Sequence, residues 1–362
     1  MKAHPAIPKA FASQPDATTV KEPCCLRVTA IGGGTGLSTL LRGLKRHTQS
    51  PVNTSSPLLA AGQVPAIISD LAAIVTVTDD GGSSGRLRKD MNMLPPGDLR
   101  NCMVALSEDE HLLSRLFQYR FESGEGLEGH SFGNLFLAGL TAVTGDFALA
   151  VRTSSQILAT RGHLYPATNS NVTLAAKMDD GSVVRGETNI TASRRRIERL
   201  MLEPERASAL PEAIEAILGA DMITMGPGSL YTSLITNLLV DGIAEALVAA
   251  DGLRVFVCNL MTQANESVNL TASQHIERIY DHAGGSIFDY ALINTAPVPE
   301  AARERYAAEG AEQIVADIEQ IENLGVRCVT GDFLHAEGVL RHDYERVTAA
   351  LLKLGLKHLR SG

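Results

Sequence analysis

The sequence contains no tryptophan, and aromatic residues make up only 4% of its 362 residues. Proteins that bind single-stranded nucleic acid use aromatic side chains on which bases stack, so this shortage argues against such a role. Lys and Arg number 32 against 41 Asp and Glu, which gives a formal net charge of −9. Because an acidic chain is poorly suited to neutralising phosphate backbones, we expect no nucleic-acid partner.

The chain also lacks any run that approaches the ~18 consecutive apolar residues needed to span a bilayer, so no membrane insertion is expected. Its five cysteines lack the spacing of a zinc or redox site, since two are adjacent and the other three lie far apart. Reduced, buried thiols are typical of cytosolic proteins, and we predict a cytoplasmic location. Residues 1–22 have no continuous apolar segment and are interpreted as a disordered polar tail rather than a signal peptide.

Strand-like segments alternate with helical patterns along the rest of the chain. Short apolar runs at 26–31, 72–78, 222–225 and 254–259 each precede a glycine-rich or polar loop and then a helical pattern. This alternation predicts an α/β fold with a Rossmann-like parallel sheet covered by helices. A chain of this length can bury a full core, and we predict one domain over 23–362.

Two segments depart from that alternation. Residues 48–65 are rich in Ser, Pro and small residues, which indicates a surface insertion. Residues 130–200 are predicted to form a helical and β-hairpin subregion. It begins with two apolar helices divided near 144–146 and continues with an alternating segment, in which Asp179-Asp180-Gly181 supplies a hairpin turn.

The first candidate binding site is the turn GGGTG at 32–36, between a buried strand and an amphipathic helix. Glycines let backbone N–H groups approach a phosphate, and a helix N-terminus adds positive potential. Leu37 stands where the dinucleotide fingerprint requires its last glycine, and no Gly-Lys-Ser/Thr follows as in a Walker A loop. The alternative is a tight turn with no ligand. The predicted ligand-binding residues are Gly33, Gly34, Thr35 and Gly36.

The second candidate site is DDGGSSGRLR at 79–88, at the carboxyl end of a predicted strand, where ligands of open α/β sheets bind. Paired carboxylates can bind a ribose, hold Mg²⁺ through its waters or orient a hydroxyl group. Asp79 and Asp80 are therefore candidate metal ligands or catalytic residues. Arg86 and Arg88 have guanidinium groups that can clamp a diphosphate. A plain surface turn is the alternative, although this loop is longer and more charged than a turn requires.

The third candidate site is GPGSLYTS at 226–233, again between a strand and a helix. It provides a second helix N-terminus for an anion, together with hydroxyl groups. The segment does not match G-x-S-x-G, so we discount a serine hydrolase. The predicted ligand-binding residues are Gly226, Gly228, Ser229 and Thr232.

Taken with PPGDLRN at 95–101, GHSFGNL at 129–135, CNLMTQ at 258–263 and LRHD at 340–343, these segments resemble the YvcK-type gluconeogenesis factors. That family is related to the 2-phospho-L-lactate transferases of coenzyme F420 biosynthesis, and the resemblance covers residues 28–358. It implies a CofD-like, Rossmann-like domain in the cytoplasm that binds a nucleotide diphosphate sugar of the UDP-N-acetylglucosamine type. Asn101 and Asn134, within the shared motifs, are expected to contact the ligand.

The same resemblance implies a regulator required for cell shape and envelope growth under gluconeogenic conditions. Regulatory partners in envelope synthesis and a homo-oligomer are then expected. The alternative is a Mg²⁺-dependent transferase acting on a nucleotide diphosphate donor, in which Asp79 or Asp80 holds the metal or an acceptor hydroxyl and Asn169 positions the acceptor. In the transferase branch a Pro-Met-Ser/Thr-Asp type segment stands where this chain has PATN at 166–169, which favours the regulator. Mg²⁺ is the only cofactor considered.

Arg341 is predicted to close the ligand site from the far end of the chain. It lies just before the final amphipathic helix, whose N-cap we assign to Asp343. A guanidinium at that position can make bidentate hydrogen bonds to a diphosphate. The alternative is a surface ion pair with Glu337 or Asp343.

Overall fold

The computed structural model describes residues 25–48, 67–108, 112–193, 195–264, 266–335 and 339–360. The predicted polar tail at 1–22 and all but the first residue of the predicted insertion at 48–65 lie outside the described residues.

The described residues contain twelve strands. They are β1 (Cys25–Gly32), β2 (Ile67–Val75), β3 (His163–Pro166), β4 (Thr173–Met178), β5 (Val183–Arg185), β6 (Ile197–Glu203), β7 (Met222–Met225), β8 (Leu253–Val257), β9 (Tyr290–Asn294), β10 (Arg327–Gly331), β11 (Leu334–His335) and β12 (Arg341–His342). Seven form one sheet in the order β10-β9-β8-β7-β1-β2-β3, and all its neighbouring pairs are parallel. The predicted Rossmann-like α/β class is confirmed.

Helices cover this sheet. They are α1 (Gly34–Lys45), α2 (Gly82–Met91), α3 (Gly97–Leu106), α4 (Leu112–Gln118), α5 (Phe132–Thr144), α6 (Phe147–Ile157), α7 (Glu187–Ala192), α8 (Pro211–Leu218), α9 (Thr236–Leu238), α10 (Ile243–Ala249), α11 (Ala272–Ala283), α12 (Glu300–Ala308), α13 (Ile318–Asn323) and α14 (Tyr344–Leu359), with a π-helical segment at Leu230–Ile235. Among the described helices, none is long and apolar enough to cross a membrane.

Burial on both faces explains why β1 reads as an apolar run rather than an alternating one. Val28 and Ile31 are fully buried, and Thr29, the polar residue between them, satisfies its hydroxyl by donating to the Ala216 carbonyl at 2.7 Å. The leucines of α1 recur at helical spacing and all lie in the same continuous core. Strand, turn and helix thus form one packed unit around 32–36.

The strand order reverses between β1 and β7. From β1 the chain adds β2 and β3 on one side, and later returns to add β7, β8, β9 and β10 on the other. The turns that follow β1 and β7 therefore lie next to each other at the same edge of the sheet. A reversal of strand order at such an edge creates the crevice in which folds of this class bind ligands.

The two turns touch at Gly36. A side chain there would place its Cβ only 2.2 Å from the carbonyl oxygen of Pro227, which is fixed backbone. Only glycine permits this approach, so the phosphate-binding turns predicted separately form one surface.

The predicted helical and hairpin subregion is also present. Helices α5 and α6 meet at the turn near Gly145, which ends α5 in the left-handed conformation. Strands β4 and β5 form the predicted hairpin, and β6 adds a third antiparallel strand on the other side of β4. Sequence analysis did not predict β6.

We expect Gly36→Ala to destabilise the protein by about 3 kcal/mol or more, because the new methyl group overlaps backbone that cannot move without separating the turns. Gly139→Ala is the matched control, since Gly139 lies in α5 with nothing within 4 Å of its Cβ position and should be neutral or slightly stabilising. Urea unfolding of both variants measures the difference. Equal stabilities would show that the two turns can part at little cost.

Candidate functional site

A cavity of about 650 Å³ opens at the carboxyl ends of β1 and β7. It is lined by residues from both glycine turns, from the segment after β8 and from the segment that contains β12. Of the predicted ligand-binding residues, it brings together Gly33, Gly34, Thr35, Gly36, Gly228, Ser229 and Arg341. The volume falls within the range of small-molecule sites.

One wall of the cavity is the N-terminus of α1. The helix begins after Gly33 without a side-chain cap, and its first residue, Gly34, has φ of +60°, a conformation that favours glycine. Neither this first turn nor the residue before it carries an acidic side chain that would repel an anion. The Gly34 N–H donates to the Asp98 carboxyl, so the wall presents to the cavity the N–H groups that follow Gly34 and the positive end of the helix.

The opposite wall is the turn after β7, and Asn259 holds its shape. Its side chain accepts from the Gly228 N–H at 3.0 Å and donates to the Gly228 carbonyl at 2.7 Å. Gln263 donates to the Ser229 hydroxyl at 2.8 Å. Sequence analysis quoted the segment that holds Asn259 and Gln263 but did not select them, because their partners lie over thirty residues away.

Arg341 lies in the short strand β12, exposed and on the rim of the cavity. The predicted cap is present, since Asp343 accepts from the backbone N–H groups of Glu345 and Arg346. Asp343 forms its ion pair with the Arg346 side chain, at 3.3 Å, and not with Arg341. Glu337 lies outside the described residues.

His342 stands beside Arg341 and carries no charge at neutral pH. Burial lowers the pKa of His342 to about 4, against the smaller raising effect of its contact with the Cys258 carbonyl at 3.0 Å. Positive charge at this end of the cavity therefore comes from Arg341 rather than His342.

A group of carboxyls adjoins the first glycine turn. Burial and the nearby charge of Asp79 raise the pKa of Asp98 to about 7, although the Gly34 N–H donates to it. Burial and the charges of Asp98 and Asp79 raise the pKa of Glu187 to about 9. The Thr78 hydroxyl donates to Glu187 at 3.1 Å. Sequence analysis missed Asp98 and Glu187, which become notable only when the fold brings three carboxyls together.

Asp79 and Asp80 have different environments. Asp80 accepts from the Thr188 N–H at 2.8 Å and from its hydroxyl at 2.6 Å, which ties the 79–88 loop to α7. Asp79 accepts from the Gly81 N–H at 2.9 Å and lies close enough to Asp98 for its charge to raise the pKa of that residue. Among the described residues, no group of three or more His, Cys, Asp or Glu is arranged to hold a metal ion. A Mg²⁺ ion at Asp79 and Asp80 stays a prediction.

Arg86 and Arg88, which were predicted to clamp a diphosphate, donate hydrogen bonds to other residues of the chain. Arg86 donates to the Glu128 carbonyl at 2.7 Å and lines a separate concavity beside the 124–129 loop. Arg88 donates to Asn171 at 3.0 Å and to Thr173 at 3.1 Å, and so fastens α2 to the hairpin sheet. Neither arginine lines the main cavity, and the expectation that they clamp a diphosphate at the 79–88 segment stays a prediction.

The remaining predicted site residues also lie outside the main cavity. Asn169 donates to Asp146 at 2.7 Å and lines a second cavity of about 340 Å³. Asn101 accepts from Arg100, Asn134 donates to Ser83, and Thr232 donates to Glu266. Gly226, with φ of +87°, packs on the Val257 carbonyl. These contacts lie outside the main cavity, and the roles of these residues in binding or catalysis stay predictions.

Comparison with known proteins agrees with this architecture. Residues 28–334 match the family described as 2-phospho-L-lactate transferase CofD. The chain belongs to the CofD family. Among relatives of this CofD-family protein, the gluconeogenesis factor of Halalkalibacterium halodurans is 46% identical over 90% of the chain and 95% of the relative. That of Bacillus subtilis is 43% identical over 91% and 98%. A crystal structure of a upf0052 family member from Bacillus halodurans has a TM-score of 0.83 at 45% identity, over 91% and 99% of the two chains.

We expect Glu187→Gln to stabilise this CofD-family protein at pH 8 and to change its stability much less at pH 5. The pKa of Glu187 is raised from 4.5 to about 9 in the folded state, so the folded protein keeps a proton that the unfolded chain releases between these values. The stability that this proton contributes is complete below pH 4.5 and is lost as the pH rises towards 9.

The neutral amide removes this dependence, so the Tm of the variant should exceed that of the wild type at pH 8 by about 2 °C or more. Thermal unfolding from pH 5 to pH 9 provides the measurement, with Glu277→Gln on the exposed face of α11 as the control. A Tm difference that does not vary with pH would contradict the assignment.

Proposed function

We propose that the protein binds a nucleotide diphosphate sugar of the UDP-N-acetylglucosamine type in the cavity between β1 and β7 and acts as a regulator. The observation that carries the proposal is the meeting of two glycine turns at the Gly36–Pro227 contact, with Arg341 on the facing rim. Two phosphates need N–H donors and a cation, and the N-terminus of α1 and Arg341 can supply them.

The chemistry of the cavity supports binding more directly than turnover. Its walls contain backbone groups, amides and hydroxyls from Asn259, Gln263 and Ser229, all of which can orient a ligand. No nucleophile beside a base lines it among the described residues. A protein with this site can report the level of a nucleotide sugar by binding it.

The physiological role that we propose is the control of cell shape and envelope growth when cells use gluconeogenic carbon sources. Support comes from the relatives called gluconeogenesis factors, which align with this chain over nearly their whole length. The expected location is the cytoplasm, where nucleotide sugars are made. The expected partners are regulatory proteins of envelope synthesis and further copies of this chain.

A second candidate function is a Mg²⁺-dependent transferase of the 2-phospho-L-lactate transferase type. The observation that favours it is the cluster of three carboxyls from Asp79, Asp98 and Glu187. The pKa values of Asp98 and Glu187 are raised, and carboxyls with raised pKa values cluster at catalytic sites. Mg²⁺-dependent product formation from a guanosine diphosphate donor and a deazaflavin acceptor, lost in Asp79→Asn, would establish this function in place of the regulator.

UDP-N-acetylglucosamine should stabilise the protein against heat, whereas NAD and ATP should not. A ligand at 100 times its dissociation constant adds about 2.7 kcal/mol to the free energy of unfolding, which produces a measurable rise in Tm. Thermal shift with the three ligands is the measurement. A rise with NAD and none with the UDP-sugar would favour an oxidoreductase and contradict the proposal.

Arg341→Ala should weaken binding of the UDP-sugar by about 30-fold or more, since a guanidinium that clamps a ligand contributes about 2–4 kcal/mol. Arg341→Lys should restore only part of the affinity, because an ammonium group cannot make the bidentate contact. The Tm of the ligand-free variants should stay near that of the wild type, since Arg341 is exposed.

Titration calorimetry gives the affinities. Arg303→Ala is the control, because Arg303 is also exposed, pairs with Glu300 and does not itself line the cavity. Unchanged affinity in folded Arg341→Ala would remove this residue from the site.

A further inference from the structure

One end of the main cavity is apolar. The cavity begins at the turn after β1, passes the turn after β7 and continues to the segment after β8 and to the end of α12, which follows β9. The side chains that line this last part are mostly apolar and are here called the apolar end: Leu260, Met261, Tyr306, Val339 and Leu340. Leu260, Met261 and Leu340 belong to a small core cluster, separate from the main core, against which Tyr306 packs.

The apolar end exposes apolar surface inside the cavity. Val339 is 60% exposed, and Tyr306 is only partly buried. Apolar surface exposed within a concave site is typical of a surface that a ligand covers. Tyr306 is the only Phe, Tyr or Trp among the described residues that line the cavity. Its ring is therefore the one flat aromatic surface that this part of the structure offers to a ligand.

Tyr306 has a defined position because the end of α12 is bonded to the segment after β8. The Ala311 N–H donates to the Tyr306 carbonyl at 2.9 Å. The Thr262 N–H donates to the Glu312 carbonyl at 2.7 Å, and the Glu312 N–H donates to the Thr262 hydroxyl at 2.9 Å. The guanidinium of Arg305 lies over the Tyr306 ring, 5.6 Å from its centroid. The ring is thus held in place before any ligand binds.

Charge also distinguishes the two ends of the cavity. Glu309, three residues after Tyr306, is the only acidic side chain in the lining formed by described residues. Its charge disfavours a phosphate beside it, whereas the N-terminus of α1 and Arg341 favour one. A flat, uncharged group fits the apolar end better. A nucleobase is such a group and stacks on aromatic rings, whereas the hydroxyls of a sugar need polar partners.

We propose that the apolar end is the subsite for the nucleobase, which packs on Tyr306. The sugar attached to the distal phosphate then lies at the opposite end, towards the turn after β1. This inference rests on the proposed nucleotide-sugar function and adds the direction in which the ligand lies in the cavity.

The test compares UDP with UDP-N-acetylglucosamine, which share the base and differ in the sugar. In titration calorimetry on the full chain, Tyr306→Ala should weaken binding of both ligands by about 10-fold, the loss expected for one stacking contact. Tyr306→Phe keeps the ring and should bind both ligands within about twofold of the wild type. Tyr306→Leu keeps an apolar contact with the small core cluster, and should lose about fivefold or more for both ligands even if Tyr306→Ala does not fold.

Tyr119→Ala is the matched control, because Tyr119 is exposed and does not line the cavity. Unchanged affinities in folded Tyr306→Ala or Tyr306→Leu would remove the base from the apolar end. A loss for the UDP-sugar with none for UDP would place the sugar there and reverse the direction of the ligand. A loss in Tyr306→Phe as large as in Tyr306→Ala would mean that the hydroxyl binds the ligand and that stacking does not. Binding of neither ligand by the wild type would refute the nucleotide-sugar function itself, whereas the other results refute only the subsite.

Discussion

The contact between Gly36 and the Pro227 carbonyl is the constraint on which the site depends. It joins the turn after β1 to the turn after β7, at the point where the strand order of the sheet reverses. Each turn alone could serve only as a loop between a strand and a helix. Held together, they enclose a cavity whose walls carry backbone N–H groups on one side and the Asn259-supported turn on the other.

The site combines two opposite electrostatic demands. The proposed binding of a dianionic group by this acidic protein requires local positive potential, and the N-terminus of α1 with Arg341 can provide it without an ion-paired lysine or arginine in the cavity lining. Next to this region lie Asp79, Asp98 and Glu187, and burial together with mutual repulsion raises the pKa of the last two. Uncharged carboxyls can lie close to an anion, so the raised pKa values of Asp98 and Glu187 are compatible with the proposed diphosphate in the adjoining cavity.

Local patterns in the sequence were enough to predict the α/β class, the placement of β1 and β7 before their glycine turns, the hairpin and the Asp343 cap. Each of these is encoded within about ten neighbouring residues, as apolar runs, turn residues or a capping side chain. Strands β3, β9 and β10 were not predicted, because strands of four or five residues carry little periodicity. Arg86 and Asn169 were predicted as site residues from the motifs that contain them. In the structure their side chains donate to Glu128 and Asp146, and contacts between residues so far apart in the sequence cannot be read from local patterns.

Asp80 and Arg88 lie at opposite ends of one short segment, and each makes a hydrogen bond to the hairpin subregion. Asp80 accepts from Thr188, and Arg88 donates to Thr173. Because the segment is held at both ends, it has less freedom to rotate relative to that subregion than a single contact would allow. The 79–88 segment, which begins with Asp79 and includes the first turns of α2, is therefore tied to α7 at one end and to β4 at the other. Any displacement of Asp79 would therefore disturb contacts with two elements of that subregion, α7 and β4.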